Sequence, residues 1–235
     1  MPAKRDPSRD ITVTPWPASP AMRIDIAKGK PPAASRAAEA LWQEMLAANP
    51  RLHDGDVLAV ESVDVKSARI QCRRESYKRF VTSKATREPV VALGVTGVIL
   101  HDGAVLMGKR AANVRAYAGL WETAPRGGIE APHWRTTRLN EDLIKQALRR
   151  ESSEELGEMG VAVPFRLACI VRDPVASSLD LCYLCTWRKG GKRGQKERSW
   201  EYDEVRWMLR RPLLRRKNLS PPTRALWLAA KAHLI

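Results

Sequence analysis

The alternation of apolar and polar positions predicts strands and helices that are mixed along the chain without a regular repeat. Strand patterns are "DVLAVESVDV", "SARIQCRRES", "PVVALGVTGVIL", "AVLMGKR", "VAVPFRLACIVRD", "LDLCYLCTWR" and "EYDEVRWM". Helical patterns begin at Ser35, Tyr77 and Ser220, and a fourth follows Asn140. Asp102-Gly103 lies between two apolar runs and predicts a hairpin turn. The mixture favours an α+β fold built on a mixed β-sheet.

The N-terminal third differs from the rest of the chain. Residues 1–33 hold many of the prolines and show little periodicity, so we expect mostly a disordered tail, with a short extended piece around "MRIDI". Residues 34–88 are expected to form a small α/β extension packed on a main domain at 89–235. The chain shows neither a secretory signal nor a run of about 18 apolar residues, which predicts a cytoplasmic protein without a membrane span.

The helix "EDLIKQALRRESSEELGE" changes character halfway along one face. On a helix with ~100° per residue, Ile144, Ala147 and Leu148 lie within about 60° of the Glu151 direction. The same arc then receives Glu154 and Glu155. A face that should pack against the core therefore continues as carboxylates.

Such a face needs a physical reason. Glu151 and Glu155 are like charges four residues apart, which is unfavourable even in water and worse when they are partly buried. A solvated acidic face is the simple alternative, but the acids continue the apolar stripe instead of lying opposite it. A hard divalent cation would resolve the conflict, because Mg²⁺ prefers carboxylate oxygens, water and phosphate as ligands. The pattern therefore favours a metal site.

The residues around this helix resemble the signature of the Nudix hydrolase superfamily. "GLWETAPRGGIE" supplies an aromatic residue, a Pro and a Gly pair, and "RRESSEELG" supplies the run Arg150, Glu151, Glu154, Glu155 and Gly157. The segment before Lys84 also resembles the N-terminal extension of the branch that includes UDP-glucose pyrophosphatases. The resemblance implies a Nudix-like α/β/α sandwich with a mixed sheet.

The chain departs from this signature in places. The loop Ile129–Asn140 is roughly eight residues longer than in the family, and it places Asp142, with Glu141 beside it, at the register of the first signature Glu. Ser152 occupies a position that is normally apolar, and Arg126 interrupts the usual Pro-Gly-Gly.

The resemblance implies hydrolysis of an acid anhydride, namely a nucleoside diphosphate linked to another group X. A nucleotide sugar such as UDP-glucose, giving a nucleoside monophosphate and a sugar phosphate, is the expected substrate. Mg²⁺, with Mn²⁺ as the alternative, would be held by Glu151, Glu154, Glu155 and the carbonyl of Gly127. Glu154 is the expected catalytic base, and Glu204 is the reserve.

Three further residues have two interpretations each. Arg150 either orients the glutamates or forms a surface pair with Glu154. Arg110 either contacts substrate phosphate or is an exposed cation at a strand end. Trp121 either contributes to substrate binding or belongs to the core.

The charge of the chain leaves a second function open. Lys plus Arg is 41 and Asp plus Glu is 26, which gives a net charge of +15. Basic clusters lie at 188–198 and 209–217, and solvated surface is their simplest interpretation. The alternative function is a nucleic-acid-binding protein, or an RNA-cap pyrophosphatase, on a Nudix scaffold. A homodimer is a further expectation from the resemblance.

Overall fold

The computed structural model describes residues 10–157, 160–189 and 200–233. The chain divides into two compact units. The larger unit contains the described parts of Met1–Ala18, Gly94–Gly127 and Ile144–Ile235, and the smaller unit contains Ser19–Leu93 and Gly128–Leu143. Among the described residues, no helix combines the length and the apolarity that a bilayer crossing requires.

The smaller unit combines two helices with a four-stranded sheet in the order β3-β4-β2-β9. Its elements are β2 (Arg23–Ile26), α1 (Arg36–Ala48), β3 (Asp56–Asp64), β4 (Arg69–Ser76), α2 (Tyr77–Thr86) and β9 (Arg138–Leu139). Strand β2 is parallel to β4, whereas β3 pairs with β4 and β9 with β2 in antiparallel fashion. The predicted cap Ser35 accepts a hydrogen bond from the Ala38 amide.

The segment expected to be mostly a disordered tail contains two strands in its described part. Strand β1 (Thr12–Pro15) belongs to the larger unit and pairs there with β10 (Gly160–Asp173), whereas β2 pairs within the smaller unit. Met22, Ile24 and Ile26 are buried, so the apolar positions of "MRIDI" have packing partners that local sequence does not reveal.

The long loop that follows Gly128 belongs to the smaller unit. Arg74 is only 2% exposed, and its guanidinium donates hydrogen bonds to the carbonyls of Pro132, His133 and Thr136 in that loop, and to Ala27. The loop was expected to belong to the main domain at 89–235; the division of the chain places it with the N-terminal residues instead. A buried guanidinium requires several acceptors, and this loop provides three of them.

The larger unit contains most of the strands and the C-terminal helix. Its elements are β1, β5 (Ala92–His101, from Gly94 onward), β6 (Ala104–Arg110), β7 (Trp121–Thr123), β8 (Arg126–Gly128, up to Gly127), α3 (Glu141–Leu156, from Ile144 onward), β10 (Gly160–Asp173), β11 (Ser178–Lys189), β12 (Tyr202–Leu209), α4 (Arg210–Leu213) and α5 (Pro221–His233). Strands β1-β10-β11-β5 are neighbours, and β6 pairs with β5, β7 and β12.

The local predictions for the larger unit hold at several positions. The hairpin turn between β5 and β6 places Asp102 and Gly103 at φ 46° and 74°, the left-handed region that Asp-Gly tolerates. The unit has its own core, in which Met107, Leu184 and Trp227 take part. Helices and a mixed sheet are both present, so the predicted α+β class is confirmed. The basic cluster at 188–198 falls largely outside the described residues.

Candidate active site

Helix α3 presents first hydrocarbon and then carboxylate to the interior of the larger unit. Ile144 and Leu148 are fully buried, and Glu155, about two turns after Leu148, is only 8% exposed. Glu151 is partly buried, whereas Glu154 is exposed. The predicted change of character along one face is therefore real for Glu155, and Glu154 lies at its solvent edge.

Glu155 is the most unusual acid of the helix. One carboxylate oxygen, Oε2, accepts a hydrogen bond from the backbone amide of Arg126 at 2.9 Å. The other, Oε1, is buried and has no hydrogen-bond partner. Burial raises the pKa of Glu155 well above its usual range, and the nearby acids Glu201, Glu151 and Glu122 raise it further. An unsatisfied buried carboxylate oxygen in an acidic environment is a natural ligand for a cation.

Glu151 lies directly against the backbone of Gly127. A Cβ added to Gly127 would stand 2.1 Å from Glu151 Cδ, so only glycine leaves room for this carboxylate. Arg150 donates to Glu151 Oε1 at 3.0 Å, and it was expected to orient a glutamate or to pair with Glu154 on the surface. This bond fits the orienting interpretation, and the role of Arg150 stays a prediction.

Ser152, which stands where the Nudix signature is normally apolar, has a structural role. Its side chain is fully buried, and its Oγ accepts a hydrogen bond at 2.7 Å from the backbone amide of Ala162, a residue of β10. The hydroxyl therefore joins the helix to the adjacent strand where the family usually has apolar contact.

Arg126, which interrupts the usual Pro-Gly-Gly of the signature, is the centre of a set of ion pairs. Its guanidinium contacts Asp180 at 2.7 Å, Glu122 at 3.2 Å and Asp173 at 3.6 Å, and its amide holds Glu155. Burial alone would lower the pKa of Arg126, but these carboxylates raise it well above the ordinary value. Arg126 thus connects the glutamate helix to a buried ionic network that the sequence analysis did not predict.

Arg110 belongs to the same network. It contacts Glu122 at 3.2 Å and Glu201 at 2.8 Å, and its guanidinium lies 5.7 Å from the centre of the Tyr202 ring. The guanidinium is largely buried between two acids, so it is not an exposed strand-end cation. Its contact with substrate phosphate stays a prediction.

Trp121 is a core residue. It is 2% exposed and belongs to the apolar core of the larger unit, with the guanidinium of Arg206 over its ring at 4.5 Å. The prediction that Trp121 binds substrate is wrong for this structure, because the ring has almost no accessible surface. The core alternative is the one that the structure supports.

The acid near Glu155 in the segment "EYDEVRWM" is Glu201 and not Glu204. Glu204 is exposed and pairs with Arg206 at 3.3 Å. Glu201 interacts electrostatically with Glu155. Burial raises the pKa of Glu201, and the nearby guanidinium of Arg110 partly offsets this rise. The β-bulge between Tyr202 and Glu204 shifts the alternation of the strand, so counting positions along the sequence could not distinguish the two acids.

A comparison with family models decides which family this site belongs to. The model described as the NUDIX domain matches residues 90–226, more than half of the chain. The chain belongs to the Nudix family. This match confirms the family resemblance that the signature indicated, and with it the prediction of a Nudix-type pyrophosphatase.

Solved structures of Nudix proteins are also similar to the chain. The MutT protein from Methanosarcina mazei Go1 has 22% identity over 60% of this chain and 92% of that chain, with a TM-score of 0.39. A NUDIX hydrolase from Nitrosomonas europaea has 18% identity over 60% and 89%, with a TM-score of 0.47. The NUDIX domain of Shewanella oneidensis NrtR, complexed with ADP ribose, has 24% identity over 61% and 88%, with a TM-score of 0.41. A search of the curated proteins found no match.

Nudix hydrolases generally use divalent metals. Within the described ranges, no three carboxylate, imidazole or thiol groups already converge as a metal centre. The donor chemistry nevertheless fits a hard cation: Glu155 offers a buried oxygen without a partner, and Glu151 lies against Gly127.

Proposed function

We propose that this Nudix protein hydrolyses the pyrophosphate of a nucleoside diphosphate linked to X, with a nucleotide sugar such as UDP-glucose as the substrate. The products would be a nucleoside monophosphate and a sugar phosphate. The observation that carries the proposal is the partnerless, buried carboxylate oxygen of Glu155, which three other acids surround. Such an arrangement is costly in the folded protein unless a proton or a cation is bound there, and a cation can replace the proton at neutral pH.

The helix carboxylates are assigned to cation binding. Glu151, Glu154, Glu155 and the carbonyl of Gly127 would hold Mg²⁺ or Mn²⁺, and Arg150 would fix Glu151 through its hydrogen bond. The exposure of Glu154 suits a ligand at the side from which a phosphate arrives. A bound divalent cation neutralises phosphate oxygens and lowers the pKa of the attacking water.

Glu201 is assigned the role of proton acceptor, in place of Glu154 or Glu204. A base works best when its pKa is close to the working pH, and burial raises the pKa of Glu201 from the ordinary Glu value of 4.5 toward that range. Arg110 holds the carboxylate at 2.8 Å and limits its rotation. Arg110 therefore acts on the reaction through Glu201.

Assigning the base to Glu201 predicts that substitutions of Glu201 and Glu204 have very different effects on turnover. Glu201→Gln should lower kcat by about 10²–10⁴-fold with little change in KM, because the amide keeps the shape and loses the base. Glu204→Gln is the matched control and should leave both constants within a factor of about two, since an exposed acid paired with Arg206 contributes little. Steady-state kinetics with Mg²⁺ measure both; equal losses in the two variants would refute the role of Glu201.

The substrate class is tested with a panel. UDP-glucose, other nucleotide sugars, ADP-ribose, dinucleotides and capped RNA are incubated with the protein, with and without Mg²⁺, and products are separated by chromatography. ADP-ribose is included because the related NrtR domain was crystallised with it. A kcat/KM that is highest for a nucleotide sugar supports the proposal. A preference for any other compound of the panel overturns the assigned substrate. Absence of turnover on every compound overturns the proposed hydrolytic activity.

A further inference from the structure

The C-terminal part of the chain carries an unbalanced positive charge. Residues 205–235 contain eight Lys and Arg residues and no Asp or Glu. Five of these cations are exposed on one short segment, which we call the basic turn: Arg210, Arg211, Arg215, Arg216 and Lys217. None of the five forms an ion pair with a residue that the structure describes. The positive charge of the basic turn is therefore not neutralised by described neighbours.

The backbone of the basic turn is well anchored. Leu213, in the middle of the segment, is 1% exposed and belongs to the core of the larger unit. The amides of Arg215 and Arg216 donate to the carbonyls of Pro212 and Leu213 at 3.0 Å each. Arg224 of α5 donates to the carbonyls of Leu214 and Arg216. A fixed backbone lowers the entropic cost of presenting several cations to one ligand.

Aromatic rings lie beside the basic turn. Trp207 stands 5.6 Å from His101 and 5.6 Å from Trp187, measured between ring centres. His101 is exposed and both tryptophans are half-buried, so each ring retains accessible surface. The backbone amide of Arg210 donates to the carbonyl of Gly103, which joins the first cation of the basic turn to the hairpin that carries His101. The basic turn therefore follows directly on the strand that carries Trp207, and one backbone hydrogen bond joins it to the hairpin that carries His101.

We propose that the basic turn, together with His101 and Trp207, binds single-stranded nucleic acid at a surface separate from the glutamate site. Cations that follow a phosphate backbone and aromatic rings that stack on unpaired bases are the two elements of such surfaces. A membrane surface fits less well, because membrane-bound basic helices need an exposed apolar face. Here α4 is a single turn with Leu213 buried, and the exposed Leu209 at its N-cap is one apolar side chain and not an apolar face.

The test compares two variants with equal net charge. In the first, the five cations of the basic turn are replaced by Gln. In the control, five exposed cations of the smaller unit are replaced by Gln: Lys28, Lys30, Arg36, Arg51 and Lys66. Both lose the same formal charge, so non-specific attraction falls equally. Binding of a fluorescent 12-residue oligouridine is followed by anisotropy across a salt series, with EDTA present so that no divalent cation occupies the glutamate site.

The proposal predicts about ten-fold or greater loss of affinity in the basic-turn variant and less than about three-fold loss in the control. The slope of log affinity against log salt should become shallower in the basic-turn variant. Each lost phosphate contact lowers the magnitude of this slope by about 0.7, so the loss of five contacts lowers it by up to about 3.5. Oligouridine should also quench tryptophan fluorescence, and less so in Trp207→Phe. Equal losses in both variants would overturn the proposal, as would binding of phosphatidylserine vesicles through the basic turn without binding of RNA.

Discussion

Replacing Glu155 by Gln should move activity and stability in opposite directions. Turnover with Mg²⁺ is expected to fall by about 10³-fold, because a metal contributes several kcal/mol of transition-state stabilisation and this ligand would be lost. Without divalent cation, the variant should be more stable than the natural protein by about 1–2 kcal/mol, because the neutral amide cannot ionise beside Glu201, Glu151 and Glu122. Thermal melts in EDTA should show a rise of about 2–4 °C per kcal/mol.

The control for this result is Glu204→Gln, the same chemical change at an exposed acid. It should alter neither turnover nor the melting temperature appreciably. Added Mg²⁺ should stabilise the natural protein and Glu204→Gln, whereas Glu155→Gln should respond weakly, since ligand binding stabilises in proportion to its affinity. A Glu155→Gln variant that melts at a lower temperature in EDTA would mean that Glu155 supports the fold by itself, against the present account.

The direction of the pH dependence follows from the raised pKa of Glu155. The folded protein holds this proton more tightly than the unfolded chain, so the metal-free protein loses stability as pH rises from about the ordinary value of 4.5 through the folded pKa. In Glu155→Gln this part of the pH dependence should disappear. Melts in EDTA over the range from pH 4.5 to neutrality measure the difference between the two proteins.

Replacing Arg126 by Met should produce the largest loss of stability, about 3–5 kcal/mol. Removing the cation leaves Asp180, Glu122 and Asp173 buried without their shared partner. Urea unfolding at neutral pH measures the loss. The exposed pair Arg206–Glu204 provides the control, because Arg206→Gln should cost less than about 1 kcal/mol.

A second change separates charge balance from packing. Adding Asp180→Asn to Arg126→Met removes one of the stranded carboxylates and should recover part of the loss, as expected for residues in direct contact. If Arg126→Met costs under about 1 kcal/mol, the network does not stabilise the fold. If the double variant is no more stable than the single one, the loss comes from packing and not from charge.

The sequence was sufficient to locate the glutamate helix because one element contains both the pattern and its interruption. Ile144 and Leu148 define the buried face, and Glu155 continues it, so helical geometry alone places the carboxylate inside. Turn and cap positions were predictable for the same reason: Asp102-Gly103 and Ser35 act on their own immediate neighbours. The family signature added the reaction that local patterns do not contain.

The remaining site residues depend on contacts between distant segments. Glu122 and Glu201 are far apart in the chain, and only their shared contact with Arg110 reveals that they belong together. A bulge beside Tyr202 made Glu204 look equivalent to Glu201. Trp121 had two interpretations, and its burial, which the sequence does not encode locally, favours the core. The single Arg of "APRGG", among residues that are otherwise apolar or small, could have suggested a buried cation with acidic partners.

The measurement that tests the central claim most directly is calorimetric titration of Mn²⁺ into the metal-free protein. The account predicts saturable binding to the natural protein and to Glu204→Gln, and a loss of about 10-fold or more in affinity for Glu151→Gln and Glu155→Gln. Binding should release protons, because the pKa of Glu155 is raised and the cation takes the place of its proton. Saturable binding that is unchanged in Glu151→Gln and Glu155→Gln, or no binding at all, would contradict it.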